Sequence, residues 1–329
     1  MDDSRPVIAV DAMGGDHGPQ VVVPGALAGL TAESPYRLAL YGDEAHIREA
    51  LAGLPVEGLP VSVVACTQDI DMGEEPAAAI RGKPDSPIVR AMADQKAGRV
   101  QAVVSAGSTG AMVAASLIIL KRLPGVDRPA IATRIPTVKG ELLLLDAGAN
   151  IECTVEHLVS FARMGAVFAR EVLGVANPSV GQLNIGGEPK KGSKLNLETW
   201  ERLSQSGLNF VGNVEGNHLL LGPCDVVVTD GYTGNNTLKL VEGFARFMGA
   251  LSQRPDLTAG EKAAFGPVLG FLQRNFSYEV YGGAMLLGVA GVSIIAHGRS
   301  SSRAISGAVR EAWSQIRRDL PGKLAAGAN

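Results

Sequence analysis

Short apolar runs of strand length alternate with segments of helical spacing along most of the chain. Two strands joined through a helix pair in parallel, because the crossover returns the chain to the same edge of the sheet. The alternation therefore predicts an α/β fold with a mainly parallel sheet and helices on both faces. The predicted strands are residues 7–10, 38–41, 61–65, 102–105, 142–145, 180–185, 209–211, 226–229 and 292–296.

The alternation stops over about residues 241–281, where helical spacing continues without a clear strand. Thr258 and Glu261 are spaced as a capping box, which predicts that a helix begins after Thr258. The apolar positions of this helix share one face, which is expected to pack on the core or on a second subunit; they are Phe265, Val268, Leu269, Leu272 and Phe276. Because no repeat or linker divides the sequence, we predict one domain over residues 1–329 with a helical excursion at about 241–281.

Polar or glycine-rich loops follow many of the predicted strands. In an open parallel sheet the ligand crevice lies at the carboxyl ends of the strands, so these loops are expected to converge there. The recurrence of such loops is a stronger indication of a ligand site than any one loop. They are residues 11–18, 105–110, 146–150, 184–192, 213–217, 230–235 and 297–300.

The loop at residues 11–18 contains three glycines, two carboxylates and His17. Glycine permits positive φ and a close approach of main-chain N–H groups, and a helix that begins near Pro19 would direct its dipole at the same place. These features suit a phosphate. The spacing matches neither the dinucleotide fingerprint nor the P-loop, and a tight turn in which Asp11 caps the next helix is an equally good interpretation.

Two lysines lie in a second glycine-rich loop, at residues 184–193. Lys190 and Lys191 could hold a phosphate together with adjacent N–H groups, although a solvated surface turn explains the same residues. A third loop, after the strand at residues 226–229, offers the polar side chains of Thr233 and Asn235 at a helix start.

Composition narrows the classes of protein that are possible. Hydrophobic residues make up 46% of the 329 positions, with 41 glycines and only 5% aromatic residues, which suits a sheet with many turns. The three cysteines are far apart and show neither a disulfide framework nor zinc spacing, so a reducing cytoplasm is expected. The N-terminus lacks the features of a signal peptide, and the apolar runs are shorter than the roughly 20 residues that span a bilayer. A net charge of −3 argues against a general nucleic-acid binder.

Several segments, taken together, resemble the acyl carrier protein:phosphate acyltransferases of bacterial phospholipid synthesis. The resemblance covers nearly the whole chain. It implies a three-layer α/β/α fold similar to isocitrate and isopropylmalate dehydrogenases and to phosphotransacetylases, and a homodimer. The segments that carry it are residues 8–17, 105–111, 127–130, 143–150, 213–216, 225–239 and 281–298.

The resemblance implies transfer of a fatty acyl group from the thioester of acyl carrier protein to inorganic phosphate, without metal or cofactor. Phosphate is already anionic and a thiol has a pKa of about 8.5, so charge neutralisation and positioning are expected to dominate over acid or base catalysis. The acyl phosphate would pass to a membrane-bound glycerol-3-phosphate acyltransferase, so peripheral contact with the membrane is expected.

The residues expected to act follow from the loops that match the family. Lys190 and Lys191, with loop N–H groups, are expected to hold phosphate and the carbonyl oxyanion, and His17 or His297 to manage protons. Asp230 is also predicted to be a catalytic residue. It is expected, like Asp11, Asp16 and Asp146, to orient the lysines and the loops. The predicted substrate-binding residues are Asp11, Gly14, Gly15, Asp16, Ser105, Gly107, Thr109, Asp146, Asn150, Gly192, Asn213, Glu215, Thr233, Gly234, Asn235 and His297.

Three other functions remain open at this point. A phosphotransacetylase-like enzyme would use acyl-coenzyme A as the donor, a decarboxylating dehydrogenase would share the fold, and a scaffolding protein would have no chemistry. The chain shows no nucleotide fingerprint and no cluster of carboxylates for a metal, which disfavours the dehydrogenase. Near the C-terminus, Arg303, Arg310 and Arg317 recur every seven residues on the face opposite Ile305, Val309, Ile316 and Leu320, so they are expected to face outward. This row is either a solvated helix face or a docking surface for an acidic carrier protein.

Overall fold

The computed structural model describes residues 4–275 and 282–327. The chain folds into two compact units. The first combines Met1–Pro129 with Tyr281–Asn329, and the second is Ala130–Val280. The single catalytic domain expected over residues 1–329 stays a prediction.

The strands and helices follow one another in the alternating order that the sequence predicts. The strands are β1 (Val7–Asp11), β2 (Arg37–Gly42), β3 (Val61–Ala65), β4 (Ala102–Ser105), β5 (Ala130–Thr137), β6 (Gly140–Leu145), β7 (Ser179–Asn184), β8 (Asn209–Glu215), β9 (Val226–Val228), β10 (Ala284–Leu287) and β11 (Val292–Ile295). The α-helices are α1 (Pro19–Leu27), α2 (Glu44–Leu51), α3 (Pro76–Gly82), α4 (Pro87–Lys96), α5 (Thr109–Ala115), α6 (Val155–Glu171), α7 (Lys194–Ser204), α8 (Gly231–Leu251), α9 (Ala259–Asn275), α10 (Ser302–Arg317) and α11 (Leu320–Gly327). A π-helix (Ser116–Leu120) extends α5, and a 3₁₀ helix (Gly216–Leu221) follows β8.

In the first unit the strands lie in the order β3-β2-β1-β4-β11-β10. All neighbouring pairs are parallel except β10 with β11. Asp11 pairs with Tyr41 on one side and with Ser105 on the other, and Ser105 pairs with Ile295. The carboxyl ends of β2, β1, β4 and β11 therefore meet at one edge.

Helices cover both faces of the first sheet. Helix α10 packs on β1, β4 and β11 beside α1, while α4 packs on β1, β2 and β4 beside α5. The contact between α1 and α10 is close because α1 carries Gly25, where a Cβ would lie 2.7 Å from the carbonyl oxygen of Ser302. Ser302 also donates a hydrogen bond to the Val21 carbonyl at 2.9 Å, which fixes the crossing of the two helices.

In the second unit the order is β5-β6-β9-β7-β8. The last four strands are parallel, and β5 forms an antiparallel hairpin with β6. Helix α6 covers one face, and its Gly165 lies where a Cβ would be 2.5 Å from Val226. On the other face Leu142, Leu144 and Val227 form a core with Leu219 of the 3₁₀ helix. The predicted α/β class with a mainly parallel sheet is confirmed.

Two strands were not predicted. Strand β5 contains Arg134 and Pro136, which interrupt its apolar pattern, and its partner is the antiparallel strand β6. Strand β10 lies within an apolar run that has the pattern of one long segment, although the chain turns between β10 and β11 through Gly288, at φ +91°. A positive φ is a property of the backbone path that composition alone does not reveal.

The helical excursion is confirmed for the residues that the structure describes. Its first helix, α8, begins at Gly231, beside the helix start predicted at Thr233 and Asn235. Glu261 Oε2 accepts from the N–H of Thr258 at 2.8 Å, and Thr258 Oγ1 accepts from the N–H of Glu261 at 3.3 Å, which is the predicted capping box. Phe276 and Tyr281 lie outside the described residues, and so does the side chain of Leu272. Within the described ranges, no helix combines the length and hydropathy that a membrane crossing needs.

Candidate functional site

The loop after β1 is organised around the buried carboxylate of Asp11. Its Oδ1 accepts hydrogen bonds from the N–H groups of Met13 at 3.1 Å and Gly14 at 3.2 Å. Its Oδ2 accepts one from the hydroxyl of Ser105 at 2.6 Å, at the end of the neighbouring strand. The Ser105 oxygen in turn accepts from the N–H of Gly107 at 2.9 Å. Asp11 thus ties two strand-end loops together.

The glycines of this loop are required by its path. A Cβ at Gly14 would lie 2.6 Å from the Gly107 nitrogen, and Gly15 has φ +89°. The N-cap of α1 is Gly18, at φ +50°, and Pro19 follows as the first helical residue. The interpretation in which Asp11 caps this helix is therefore wrong, because its oxygens are bonded within the two loops.

A pocket of about 220 Å³ opens beside Asp11 in the first unit. The carboxylates of Asp11, Asp69 and Asp71 line it, with Met13 and Met72 among its apolar walls, and none of its described lining residues is basic. Burial raises the pKa of Asp11 to about 6, against the opposing effect of the Ser105 hydroxyl. Burial also raises the pKa of Asp69, together with the nearby negative charge of Asp71. The charges of this pocket disfavour an anion.

The other predicted residues of the first unit lie at its surface. Asp16 donates its N–H to the carbonyl of Gly298 at 2.8 Å, so the loops after β1 and β11 are in contact. His297 accepts from the N–H of Arg299 through Nδ1 at 3.1 Å and is exposed, as His17 is. Thr109 is exposed at the first turn of α5, whose N-cap is Ser108.

In the second unit the carboxylate of Asp146 is fully buried just after β6. Its two oxygens accept five hydrogen bonds: from the N–H groups of Ile131 (2.8 Å), Gly148 (3.2 Å), Ala149 (3.0 Å) and Asn150 (2.7 Å), and from the Asn150 amide (2.9 Å). Burial raises the pKa of Asp146, and these donors oppose that shift. Because the donors occupy the carboxylate, its role in the structure is to hold the loop at residues 146–150.

Helix α8 begins against the same loop. Its N-cap Asp230 accepts from the N–H and the hydroxyl of Thr233, both at 2.8 Å. A Cβ at Gly231 would lie 2.6 Å from the Asn150 carbonyl oxygen, and one at Gly234 would overlap the carbonyl oxygen of Asp146. Asn235 is exposed, and its side chain faces Gly148.

The lysine loop, residues 185–192, leaves the end of β7 and leads into α7. Lys190 and Lys191 are both exposed, and within the described part of the chain neither ammonium group has an ion-pair partner. A pocket of about 470 Å³ lies here, lined by Lys191, Glu188 and Glu215 together with residues 185–187. The N-cap of α7 is Ser193, which accepts from the N–H of Asn196. The loop thus presents cationic side chains next to a helix N-terminus, which favours anions, while the carboxylates of Glu188 and Glu215 oppose them.

The structure groups the predicted residues by strand end. At the ends of β7 and β8 it brings together Lys191, Gly192, Asn213 and Glu215. At the ends of β6 and β9 it brings together Asp146, Asn150, Asp230, Thr233, Gly234 and Asn235. In the first unit it brings together Asp11, Gly14, Gly15, Asp16, Ser105 and Gly107.

The pocket of the first unit includes residues that sequence reasoning missed. Asp69, Asp71 and Ser86 line it although they do not belong to any predicted strand-end loop. In the second unit the additional residue is Asn184, which belongs to the predicted loop at residues 184–192 but not to the predicted site residues. It is the last residue of β7, and its carboxamide bonds to the lysine loop. Its position before a glycine-rich stretch is a signal that could have identified it.

Buried thiols are poor candidates for an acyl-enzyme nucleophile. Burial raises the pKa of Cys66 to about 11 and that of Cys224 to about 12, so both thiols are protonated at neutral pH. Among residues 4–275 and 282–327, no group of three His, Cys, Asp or Glu side chains is arranged to hold a metal ion.

These features define an α/β protein with candidate ligand sites at the carboxyl ends of parallel strands. A family model described as "Fatty acid synthesis protein" matches residues 7–323. The phosphate acyltransferase of Desulforamulus reducens is 46% identical over 318 residues, covering 95% of this chain and 94% of that protein. That of Moorella thermoacetica is 44% identical over 327 residues, covering 96% of each. The chain therefore belongs to this family of fatty acid synthesis proteins, and it is an acyltransferase.

Solved structures show the same fold at low sequence identity. A phosphotransacetylase from Streptococcus pyogenes superimposes with a TM-score of 0.65 at 16% identity, covering 95% of this chain and 94% of that one. The EutD phosphotransacetylase from Staphylococcus aureus gives 0.62 at 15% identity, with the same coverage. At such identities the likeness establishes the fold alone.

Proposed function

We propose that this protein transfers a fatty acyl group from the thioester of acyl carrier protein to inorganic phosphate. The names of its relatives support phosphate as the acceptor. The observation in the structure that carries the proposal is the lysine loop, where Lys190 and Lys191 extend into solvent beside a pocket at a helix N-terminus. Acyl-coenzyme A is the alternative donor, because the phosphotransacetylases share the fold.

The reaction balances without a cofactor. A phosphate oxygen attacks the thioester carbonyl carbon, the new C–O bond forms, and the C–S bond breaks to release a thiolate that takes up a proton. Lys191 and Lys190 neutralise the phosphate and the developing oxyanion, a kind of stabilisation whose removal typically costs about 10²- to 10³-fold in rate. His17 and His297 are the proposed proton carriers, and both are exposed.

In this proposal the aspartates hold the strand-end loops in place. Asp11, Asp146 and Asp230 accept hydrogen bonds from main-chain N–H groups, so each one fixes the loop that follows its strand. None of them is needed as a nucleophile, because phosphate itself attacks the thioester.

The carrier protein is proposed to dock on α10. Arg303, Arg310 and Arg317 are all exposed, as the sequence predicts, and none of them forms an ion pair within the described residues. An acidic partner would be steered by such a row over the roughly 8 to 10 Å that salt screening permits.

Charge reversal tests this surface. In Arg303→Glu/Arg310→Glu the KM for acyl carrier protein is expected to rise, most strongly at low ionic strength, while the KM for phosphate stays unchanged. Arg48→Glu is the control, because Arg48 is exposed but already paired with Glu44. An equal change in both KM values, or none for the carrier protein, places docking elsewhere.

We also propose a cytoplasmic homodimer that touches the membrane when it hands its product to a membrane-bound glycerol-3-phosphate acyltransferase. Apolar side chains support this, since Leu240, Phe244 and Phe247 of α8 and Val268 of α9 are exposed. Sedimentation of Phe247→Glu, alone and with phospholipid vesicles, is expected to show a loss of dimer or of vesicle binding. Wild-type behaviour in both measurements would exclude this surface from both contacts.

The activity itself is tested by incubating the protein with acyl carrier protein thioester and labelled phosphate, then trapping acyl phosphate with hydroxylamine. Parallel reactions with acyl-coenzyme A distinguish the two donors. Lys191→Ala is expected to lose about 10²-fold in kcat/KM. The matched control is Lys194→Ala, three residues further on, where the lysine is exposed and lies 3.7 Å from Glu198. Failure to form acyl phosphate from either donor would refute the proposed function.

A further inference from the structure

The lysine loop is held at two points by side chains from neighbouring strands. Strands β7 and β8 pair in parallel, with Asn184 opposite Glu215 and Gln182 opposite Asn213. The last residue of β7 and a residue near the end of β8 therefore reach the same loop from two sides.

The first hold is the carboxamide of Asn184. Its Nδ2 donates to the carbonyl oxygen of Lys191 at 3.0 Å, and its Oδ1 accepts from the N–H of Ile185 at 2.8 Å. One side chain thus joins the first residue of the loop to Lys191 across its mouth. Gly192 has φ +96°, and a Cβ there would overlap Asn184 Oδ1, so the glycine leaves room for the carboxamide.

The second hold is the carboxamide of Asn213. Its Nδ2 donates to the carbonyl oxygen of Glu188 at 2.8 Å. The same carbonyl accepts from the N–H of Lys191 at 3.1 Å, so the turn that carries Lys191 is closed at this point. The Oδ1 of Asn213 is buried without a hydrogen-bond partner in the described structure, which leaves the bond to Glu188 as the contact that its amide makes.

We infer that Asn184 and Asn213 are positioning residues. Their hydrogen bonds to the main-chain carbonyls of Lys191 and Glu188, together called the clip, hold the lysine loop and thereby orient the Lys191 ammonium group toward the pocket. The inference rests on the proposed function, in which Lys191 binds phosphate. It changes the role expected for Asn213 from contact with substrate to orientation of the residue that makes the contact.

The clip has a measurable consequence in the absence of substrate. Hydrogen exchange of the peptide that spans residues 185–192 should be faster in Asn184→Ala and in Asn213→Ala than in the wild type, because each loses a hydrogen bond that closes the loop. Asn184→Asp keeps an acceptor for the Ile185 N–H and replaces the donor to Lys191, but its negative charge would also repel phosphate, so this variant is read by hydrogen exchange alone.

Asn209→Ala is the matched control. Asn209 is the first residue of the same strand, β8, so it lies at the opposite end of that strand from the lysine loop. Its Nδ2 donates to the Asn177 carbonyl at 3.3 Å. This variant also loses one bond from an asparagine to the main chain, but exchange in the lysine loop should stay at the wild-type rate.

Kinetics supply the second readout. The KM for phosphate is expected to rise about 10- to 100-fold in Asn184→Ala and in Asn213→Ala, with a smaller change in the KM for the thioester. The double variant should fall short of the product of the two single effects, because both residues hold one loop. Unchanged exchange in the loop, or an unchanged KM for phosphate when Lys191→Ala raises it, would overturn the inference. Faster exchange combined with a normal KM in Lys191→Ala would keep the clip and refute the phosphate site itself.

Discussion

Two glycine-rich loops at strand ends, residues 11–18 in the first unit and the lysine loop in the second, look alike in sequence and differ in chemistry. In the first, the charged group is Asp11, which is buried and bonded to its own loop and to Ser105. In the second, carboxamides bond to the main chain, and the charged groups of Lys190 and Lys191 remain in solvent. Whether a loop can bind a ligand therefore depends on which groups its own hydrogen bonds have already used.

The pockets beside these loops differ in the same way. The first is lined by the carboxylates of Asp11, Asp69 and Asp71, whereas the second contains Lys191 beside Glu188 and Glu215. Of the two, only the second has a cation free to meet a phosphate among the described residues. The comparison favours the second unit as the site of the proposed phosphate.

The largest expected effect concerns the close approach that holds α8 to the loop at residues 146–150. Gly234→Ala places a Cβ on the Asp146 carbonyl oxygen, so the helix start must move, and we expect a loss of at least about 4 kcal/mol in the free energy of unfolding. Gly243→Ala lies in the same helix with nothing within 4 Å of its Cβ and should stabilise the protein by about 1 kcal/mol. Urea unfolding of both variants measures these changes. A small loss in the free energy of unfolding of Gly234→Ala would contradict the rigid contact.

The fold could be predicted further than the site. The apolar run at residues 102–105 coincides with β4, because a strand that is buried along its whole length leaves a nearly continuous apolar signal. The environment of Asp146 could not be predicted in this way. One of its donors, the Ile131 N–H, comes from β5. This strand was not predicted, because Arg134 and Pro136 interrupt its apolar pattern. Which polar groups a loop leaves free is decided by such distant pairings.

The second effect compares the two buried carboxylates directly. Asp146→Asn replaces an acceptor that faces N–H donors with another donor, and a loss of about 3 kcal/mol is expected. Asp11→Asn should cost about 1 kcal/mol, because Asn keeps an acceptor for the N–H groups and the Ser105 hydroxyl can turn to accept. Equal losses in chemical denaturation would show that the two carboxylates are held in the same way.

The third effect is the pH dependence that Asp11 contributes. Its pKa is about 6 in the folded protein, whereas an aspartate in the unfolded chain has its ordinary value of 3.8, so between these values the folded protein binds more protons than the unfolded chain. The contribution to stability is therefore present below about pH 4 and is lost as the pH rises through 6. Relative to Asp11→Asn, the free energy of unfolding of the wild type should fall by about 2 to 3 kcal/mol over this window. Parallel curves for the two proteins, in urea unfolding at successive pH values, would exclude a raised pKa at Asp11.

The claim that phosphate binds at the lysine loop is tested most directly by lysine labelling without turnover. An amine-reactive reagent and mass spectrometry give the modification rate of each exposed lysine with and without saturating phosphate. We predict that phosphate protects Lys191, and Lys190 beside it, while Lys194 reacts at the same rate in both conditions. Equal labelling of Lys191 with and without phosphate would contradict the account and remove the acceptor site from the second unit.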